Sequence, residues 1–137
     1  MTSIILIRHG ETAWNAERRL QGHTDIALNT EGQRQAEALA RALAGERFDA
    51  IAASDLQRAH QTAEAVARHH GLAVTQDARL RERCYGAFEG KLYADMGRQY
   101  PHEGEGWQAG DVDSVPPAGE RAAESFRSFY GRSIDAI

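Results

Sequence analysis

The sequence predicts an α/β fold with a mostly parallel sheet, and two observations predict it. Three short apolar runs, Ile4–Ile7, Phe48–Ala53 and Leu72–Thr75, have the length and composition of strands. The segments between them place small and aliphatic residues at helical spacing. Strand–helix–strand–helix–strand order is that of crossover units, which pair their strands in parallel.

Ile4-Ile5-Leu6-Ile7 has no polar alternation, so it reads as a strand buried on both faces. It stops at Arg8, His9 and Gly10. Parallel sheets present ligands at the carboxyl ends of their strands, which puts Arg8 and His9 where chemistry would be placed. Gly10 would let backbone approach a ligand closely. A polar loop follows through Gln21-Gly22-His23-Thr24-Asp25. The next helix begins at a capping box formed by Thr30 and Gln33. It carries Ala36, Leu39, Ala40 and Leu43 as its apolar stripe, and Gly45 provides a stop. After the second strand, Ser54-Asp55-Leu56-Gln57 repeats the capping logic, and Ala59, Thr62, Ala63 and Val66 share a helix face until Gly71. Residues 76–119 then turn to Gly, Pro, Glu and Asp, with weak helical spacing over Tyr93–Tyr100. A long irregular segment inside a compact domain reads as a lid-like or loop segment. Helical spacing returns over Glu120–Ile134 through Ala123, Phe126, Phe129, Tyr130 and Ile134, weakened by Gly131. Nothing rich enough in linker residues divides the chain, so 1–137 is one domain.

With 137 residues and 42% hydrophobic content, the chain can bury one core. A net charge of −4 provides no broad basic surface, so nucleic acid is not an expected partner. A local arginine cluster could still bind a small anion. Cys84 is the one cysteine, so no internal disulfide forms and a reducing, cytoplasmic setting is expected. No apolar run reaches membrane-spanning length, and the N-terminal run lacks a basic flank, so neither a membrane segment nor a signal peptide is expected. His69-His70 has no partner at metal-ligand spacing; no metal and no cofactor are expected.

Three strings carry the chemistry. They are Arg8-His9-Gly10-Glu11-Thr12 with Asn15 at fixed spacing, Ser54-Asp55-Leu56-Gln57-Arg58-Ala59-His60-Gln61-Thr62-Ala63, and Leu80-Arg81-Glu82-Arg83-Cys84-Tyr85-Gly86-Ala87-Phe88-Glu89-Gly90. Phosphoryl transfer needs donors on several sides of a dispersed negative charge and a nucleophile held in line. Neutral imidazole is such a nucleophile; nearby arginines keep it unprotonated, and a hydrogen bond to its other nitrogen selects the tautomer. Arg58 falls in the first turn of a helix, where anions are favoured and a guanidinium can grip phosphate bidentately.

Together the strings resemble the histidine phosphatase superfamily, the phosphoglycerate-mutase-like enzymes. The resemblance implies a three-layer α/β/α domain with a mostly parallel central sheet. It implies that His9 becomes phosphohistidine, that Arg8 and Arg58 bind phosphate, and that Glu82 is the proton donor and later the base. Asn15, Gly22, Thr24, Arg83 and Tyr85 are the substrate-binding positions it implies, while Glu89 is structural. The activity implied is hydrolysis of a small phosphorylated metabolite, with phosphoglycerate mutase, an isomerase, as the runner-up and a non-catalytic phosphate-binding module as the alternative of another class. Val115-Pro116-Pro117-Ala118-Gly119-Glu120, and the sparse cations after Lys91, favour the phosphatase.

The sequence departs from the family in one respect. The family's second catalytic histidine follows a late strand in a Ser-His-Gly-like turn, and no such string occurs here. The resemblance covers about the first two-thirds of a family domain, so the fold is expected to be C-terminally incomplete. Unpaired sheet edges would then favour association, leaving a homodimer open.

Overall fold

The computed structural model describes residues 2–102 and 110–137. Chain order is α1 (Ala13–Ala16), α2 (Thr30–Ala42), β1 (Ile51–Ala53), α3 (Gln57–His70), β2 (Val74–Gln76), α4 (Met96–Gln99) and α5 (Phe126–Ile134). Short 3-10 turns at Ala78–Leu80, Gly86–Phe88 and Tyr93–Asp95 lie between β2 and α4. β1 and β2 pair in parallel, with Ile51 opposite Val74 and Ala53 opposite Gln76, and α3 makes the crossover between them. This is the α/β unit the sequence predicts, with β1 confined to the last three residues of Phe48–Ala53 and β2 displaced to Val74–Gln76 from the expected Leu72–Thr75.

The first expected strand is corrected. Residues 4–7 form no strand, and Ile4, Ile5, Leu6 and Ile7 are 55%, 47%, 79% and 43% exposed. The run has the composition of an interior strand, but among the described residues no strand pairs with it. Burial on both faces needs neighbours that local sequence cannot supply.

Helix boundaries show where local signals compete. Asn29, not Thr30, caps α2: its side-chain oxygen accepts the Gly32 N–H at 2.8 Å. α2 ends at Ala42, directly before the turn over residues 43–45 that contains Gly45. The cap of α3 comes from elsewhere in the chain. Leu56 occupies the cap position without a side-chain bond, and Asp25 Oδ1 accepts the Gln57 N–H at 2.8 Å. Gly71 closes α3 in the left-handed region, as expected. α5 starts only at Phe126, capped by Ser125, so Glu120–Glu124 is not helical. The helical spacing over Tyr93–Tyr100 resolves into a 3-10 turn continuing into α4. The stretch 103–109 of the irregular segment lies outside the described residues.

Two small cores hold these elements. Ala36 and Ala40 of α2 meet Ala65 and Val66 of α3, together with Leu28 and partly buried Leu39, Leu43, Phe48 and Ile51. Small side chains at that crossing let the two helices approach closely. Leu20, Phe88 and Met96 form the second core, backed by Tyr85 and Tyr100. Of the paired histidines ending α3, His69 is exposed, while His70 packs edge-on against Phe48 with ring centroids 4.9 Å apart. No group of three metal-ligating side chains forms among the described residues.

Candidate active site

The turn after residue 7 is seated by backbone contact. A Cβ on Gly10 would stand 2.5 Å from the Gly32 carbonyl oxygen. One on Gly32 would stand 2.0 Å from that of Glu11. The close approach expected of Gly10 is therefore made to the start of α2 rather than to a ligand. It presses the His9 turn against that helix. The Gly10 N–H donates to Thr62 Oγ1 at 3.0 Å, tying the turn to α3 as well.

His9 Nδ1 lies 2.7 Å from its neighbour's carbonyl, Gly10 O. A carbonyl only accepts, so Nδ1 carries the proton and Nε2 is left with its lone pair. Burial pushes the His9 pKa below its ordinary 6.5, and the positive charges of Arg58 and Arg8 push it further down. The Gly10 hydrogen bond and the Glu82 carboxylate act the other way without reversing the shift. The imidazole is thus held neutral and in one tautomer, as nucleophilic attack requires.

Arg58 is 2% exposed, on the buried face of α3. Its guanidinium donates from Nη2 to Gly22 O at 2.7 Å and from Nη1 to Thr24 O at 3.0 Å. A guanidinium has five N–H donors, so these two bonds do not exhaust it, and Arg58 lines a cavity of about 310 Å³ with Arg8, His9, Asn15, Gly22 and Glu82. Asn15 is oriented by a reciprocal capping box, in which Asn15 Oδ1 accepts the Thr12 N–H at 3.0 Å and Thr12 Oγ1 accepts the Asn15 N–H at 3.2 Å. With its oxygen so used, the Asn15 amide nitrogen is the end left for the cavity.

Glu82 is exposed, on a segment held from three sides. Arg81 forms a bidentate pair with Asp55, at 2.7 and 2.5 Å, just before α3. Arg132 of α5 donates to the carbonyls of Arg79 and Arg81, each at 2.8 Å, and of Glu82 at 2.9 Å. His23 Nε2 lies 2.8 Å from Glu82 O. The Glu82 carboxylate accepts the Arg83 N–H at 2.7 Å, and the Tyr85 hydroxyl approaches it at 3.4 Å. Burial and the neighbouring Glu82 charge raise the Tyr85 pKa far above its ordinary value, so the phenol remains a donor.

Of the sequence-predicted positions, His9, Arg8, Arg58, Glu82, Asn15, Gly22 and Tyr85 come together around the cavity. Thr24 and Arg83 do not line it. The Thr24 hydroxyl and N–H both donate to Glu89 Oε2, at 2.6 and 3.0 Å. The Arg83 guanidinium donates to the carbonyls of Ser114 and Glu124, both at 2.8 Å. Glu89 is the internal strut expected, also accepting the N–H groups of His23 at 2.9 Å and Tyr85 at 3.1 Å. Those bonds bring its pKa below the ordinary value against the effect of burial. Cys84 is buried, donates to Glu89, and is shifted upward by burial, the opposite of thiol activation.

Sequence reasoning missed Arg18, Arg19, Gln21 and Tyr93, which complete the cavity wall. The adjacent Arg18-Arg19 pair was the available signal, but in sequence it looks like a solvated loop. Arg18 adopts a left-handed backbone with φ of 59°, a conformation that costs a side-chain-bearing residue roughly 1–2 kcal/mol.

One histidine, four arginines, two amides and a carboxylate line this cavity, in a fold and sequence similar to those of known proteins. Phosphoglycerate mutase-like protein 4 of Arabidopsis thaliana is 38% identical over 136 residues, covering 98% of this chain and 58% of that protein. A probable phosphoglycerate mutase of Klebsiella pneumoniae is 41% identical over 137 residues, covering all of this chain and 62% of its own. Among solved structures, the alpha-ribazole phosphatase of Shigella flexneri superposes with a TM-score of 0.85 at 29% identity, covering 96% of this chain and 63% of that one. A mycobacterial glucosyl-3-phosphoglycerate phosphatase solved with VO3 gives 0.79 at 32%, covering 93% and 59%. The chain thus spans about three-fifths of the length of these relatives. A model of the histidine phosphatase superfamily (branch 1) matches residues 4–137, and the chain belongs to that superfamily.

Proposed function

We propose that this cavity hydrolyses a small phosphomonoester through a phosphohistidine at His9. The observation that carries the reading is the neutral His9 ring, with Nδ1 committed to Gly10 O, in one cavity with Arg8, Arg58 and Glu82. His9 Nε2 attacks phosphorus while the arginines and the Asn15 amide take up charge on the peripheral oxygens. Glu82 takes up a proton when the anionic substrate binds beside it; the bond from phosphorus to the ester oxygen breaks, and Glu82 gives that oxygen this proton. Glu82, now a carboxylate, takes a proton from water, whose oxygen attacks the phosphohistidine and releases phosphate and free His9. The VO3 in the mycobacterial phosphatase is a phosphate-like anion, which supports an oxyanion site in this superfamily.

A phosphoglycerate mutase is the second reading, favoured by the names of the sequence relatives. A mutase would bring further cations in the segment after Lys91. Between Lys91 and residue 102 the other cation is Arg98, exposed and paired with Asp95, which supports the phosphatase. No helix among the described residues is long and apolar enough to cross a membrane. The buried, unpaired Cys84 fits a cytoplasmic setting.

The test is incubation with p-nitrophenyl phosphate and a search for turnover and an acid-labile phosphoenzyme. Both are expected, both disappear in His9→Ala, and both survive a metal chelator. Absence of turnover and phosphoenzyme, with vanadate binding retained, would instead support the non-catalytic phosphate-binding module.

A further inference from the structure

Resting on that reading, we propose that His23 is a positioning residue for Glu82, registering the acid to the arginine that holds the phosphoryl group. Residues 22–24 are the loop that seats Arg58: the carbonyls of Gly22 and Thr24 accept its Nη2 and Nη1 at 2.7 and 3.0 Å. Between those two carbonyls, the His23 ring reaches Glu82 O instead, with Nε2 2.8 Å away. One residue therefore spans from the seat of Arg58 to the backbone of the acid, 59 positions later in sequence. A carbonyl only accepts, so His23 carries its proton on Nε2. Burial, the largest influence on this ring, pushes its pKa below the ordinary 6.5 and favours the neutral form in that tautomer.

The loop that carries His23 is fixed on its own account. Gly22 has a φ of 56°, and a Cβ there would stand 2.2 Å from Glu89 Oε1. The Glu89 carboxylate also accepts the His23 N–H at 2.9 Å and the Thr24 N–H at 3.0 Å. The ring thus projects from a backbone with little freedom, toward a residue that is itself exposed. Glu82 O has a second donor, Arg132 Nη2 at 2.9 Å, but the two donors differ in what they anchor. Arg132 belongs to α5 and does not line the cavity, so it ties Glu82 to that helix. His23 ties it to the loop that seats Arg58. Glu124 Oε2, 3.7 Å from His23 Nε2, offsets the Arg132 charge beside the ring. A general acid must sit within hydrogen-bond reach of the oxygen it protonates, and a misplacement of about 1 Å can cost roughly a hundredfold in rate. As His9 Nε2 bonds to phosphorus and the ester bond breaks, the proton on Glu82 passes to the departing oxygen. The His23 bond fixes the backbone from which that carboxyl projects.

Two aryl phosphates of similar shape test this with the full chain. Phenoxide is a poor leaving group that needs the Glu82 proton, whereas p-nitrophenoxide, its charge drawn into the ring, departs with little help. For both esters kcat/KM reports the steps through departure of that group. In His23→Leu, kcat/KM should fall mainly for phenyl phosphate, widening its ratio to p-nitrophenyl phosphate about tenfold. Vanadate affinity should hold, because backbone carbonyls still seat Arg58. His23→Gln, whose amide can present an N–H to the same carbonyl, should restore most of the ratio. An unchanged ratio, an equal fall for both esters with loss of vanadate binding, or no rescue by His23→Gln overturns the proposal and leaves the phosphomonoesterase reading standing. In the wild type, 15N shifts of the His23 ring should place the proton on Nε2 with Nδ1 bare. A proton on Nδ1 alone overturns the proposal whether or not the variants fold. Failure of the wild type to hydrolyse either ester removes both readings.

Discussion

Thr62 and Gly10, separated by 52 positions in sequence, share a buried hydrogen bond of 3.0 Å. The same Thr62 hydroxyl donates to Arg58 O at 2.8 Å, so one side chain couples the His9 turn to the helix carrying the buried arginine. Thr62→Val keeps the shape but leaves the Gly10 N–H without its acceptor. A buried donor left unsatisfied costs about 1–3 kcal/mol. Urea denaturation should show a loss of that size, with weaker vanadate binding, and Thr62→Ser should recover most of both.

Gly10 and Gly32 meet backbone to backbone, so neither tolerates a methyl group. Overpacking against backbone, which cannot rotate away, costs about 1–3 kcal/mol. Gly10→Ala and Gly32→Ala should each lower the denaturation midpoint accordingly. Gly131 is the contrast: it lies within α5, and a Cβ there meets nothing within 4 Å. Gly131→Ala should stabilise the protein by about 0.5–1 kcal/mol through helix propensity.

The lowered pKa of His9 predicts a pH dependence. Above 6.5, the imidazole is neutral in both folded and unfolded chains and contributes no slope. As pH falls below 6.5, the unfolded chain takes up the proton before the folded one, so stability is lost until the folded pKa is passed. His23, also shifted down chiefly by burial, acts with the same sign. Stability measured from pH 8 to 5 should decline on the acid side, and His9→Gln should flatten that decline. An NMR titration of His9 should place its midpoint below the ordinary 6.5.

Arg132 draws the segment around Glu82 against α5. Its guanidinium also pairs with both oxygens of Glu124, at 2.6 and 2.7 Å, and Glu124 Oε2 accepts the Cys84 N–H at 2.8 Å. Arg132→Met strands several carbonyls and a carboxylate. The expected loss is about 2–3 kcal/mol by the usual worth of charged hydrogen bonds, with faster amide exchange over residues 82–84.

Leu6 is the most exposed of the four apolar residues preceding Arg8. Contiguous apolar surface of this kind associates. Sedimentation of the 137-residue chain should depend on concentration, and Leu6→Lys should reduce both that dependence and the binding of an apolar dye.

Sequence alone determined what is local. The Arg8–Thr12 string, the spacing to Asn15, the helix faces through Ala36 and Ala40, and the Gly71 stop each depend on residues within a few turns of one another. Propensity, periodicity and side-chain chemistry act over that range. His9 and the cations Arg8 and Arg58 that share its cavity were legible for the same reason: their residue types and spacings are local features of the sequence. Tertiary structure decided everything that needs a distant partner. It decided that Asp25 rather than Ser54 serves the start of α3, that Gly10 meets Gly32, and that the Thr24 hydroxyl and the Arg83 guanidinium face inward supports rather than the cavity. It also decided that residues 4–7, written like an interior strand, stand unpaired among the described residues. Backbone donors, guanidinium groups and apolar faces are satisfied by whichever neighbour the fold delivers, and that neighbour is set by long-range packing rather than by the residues alongside.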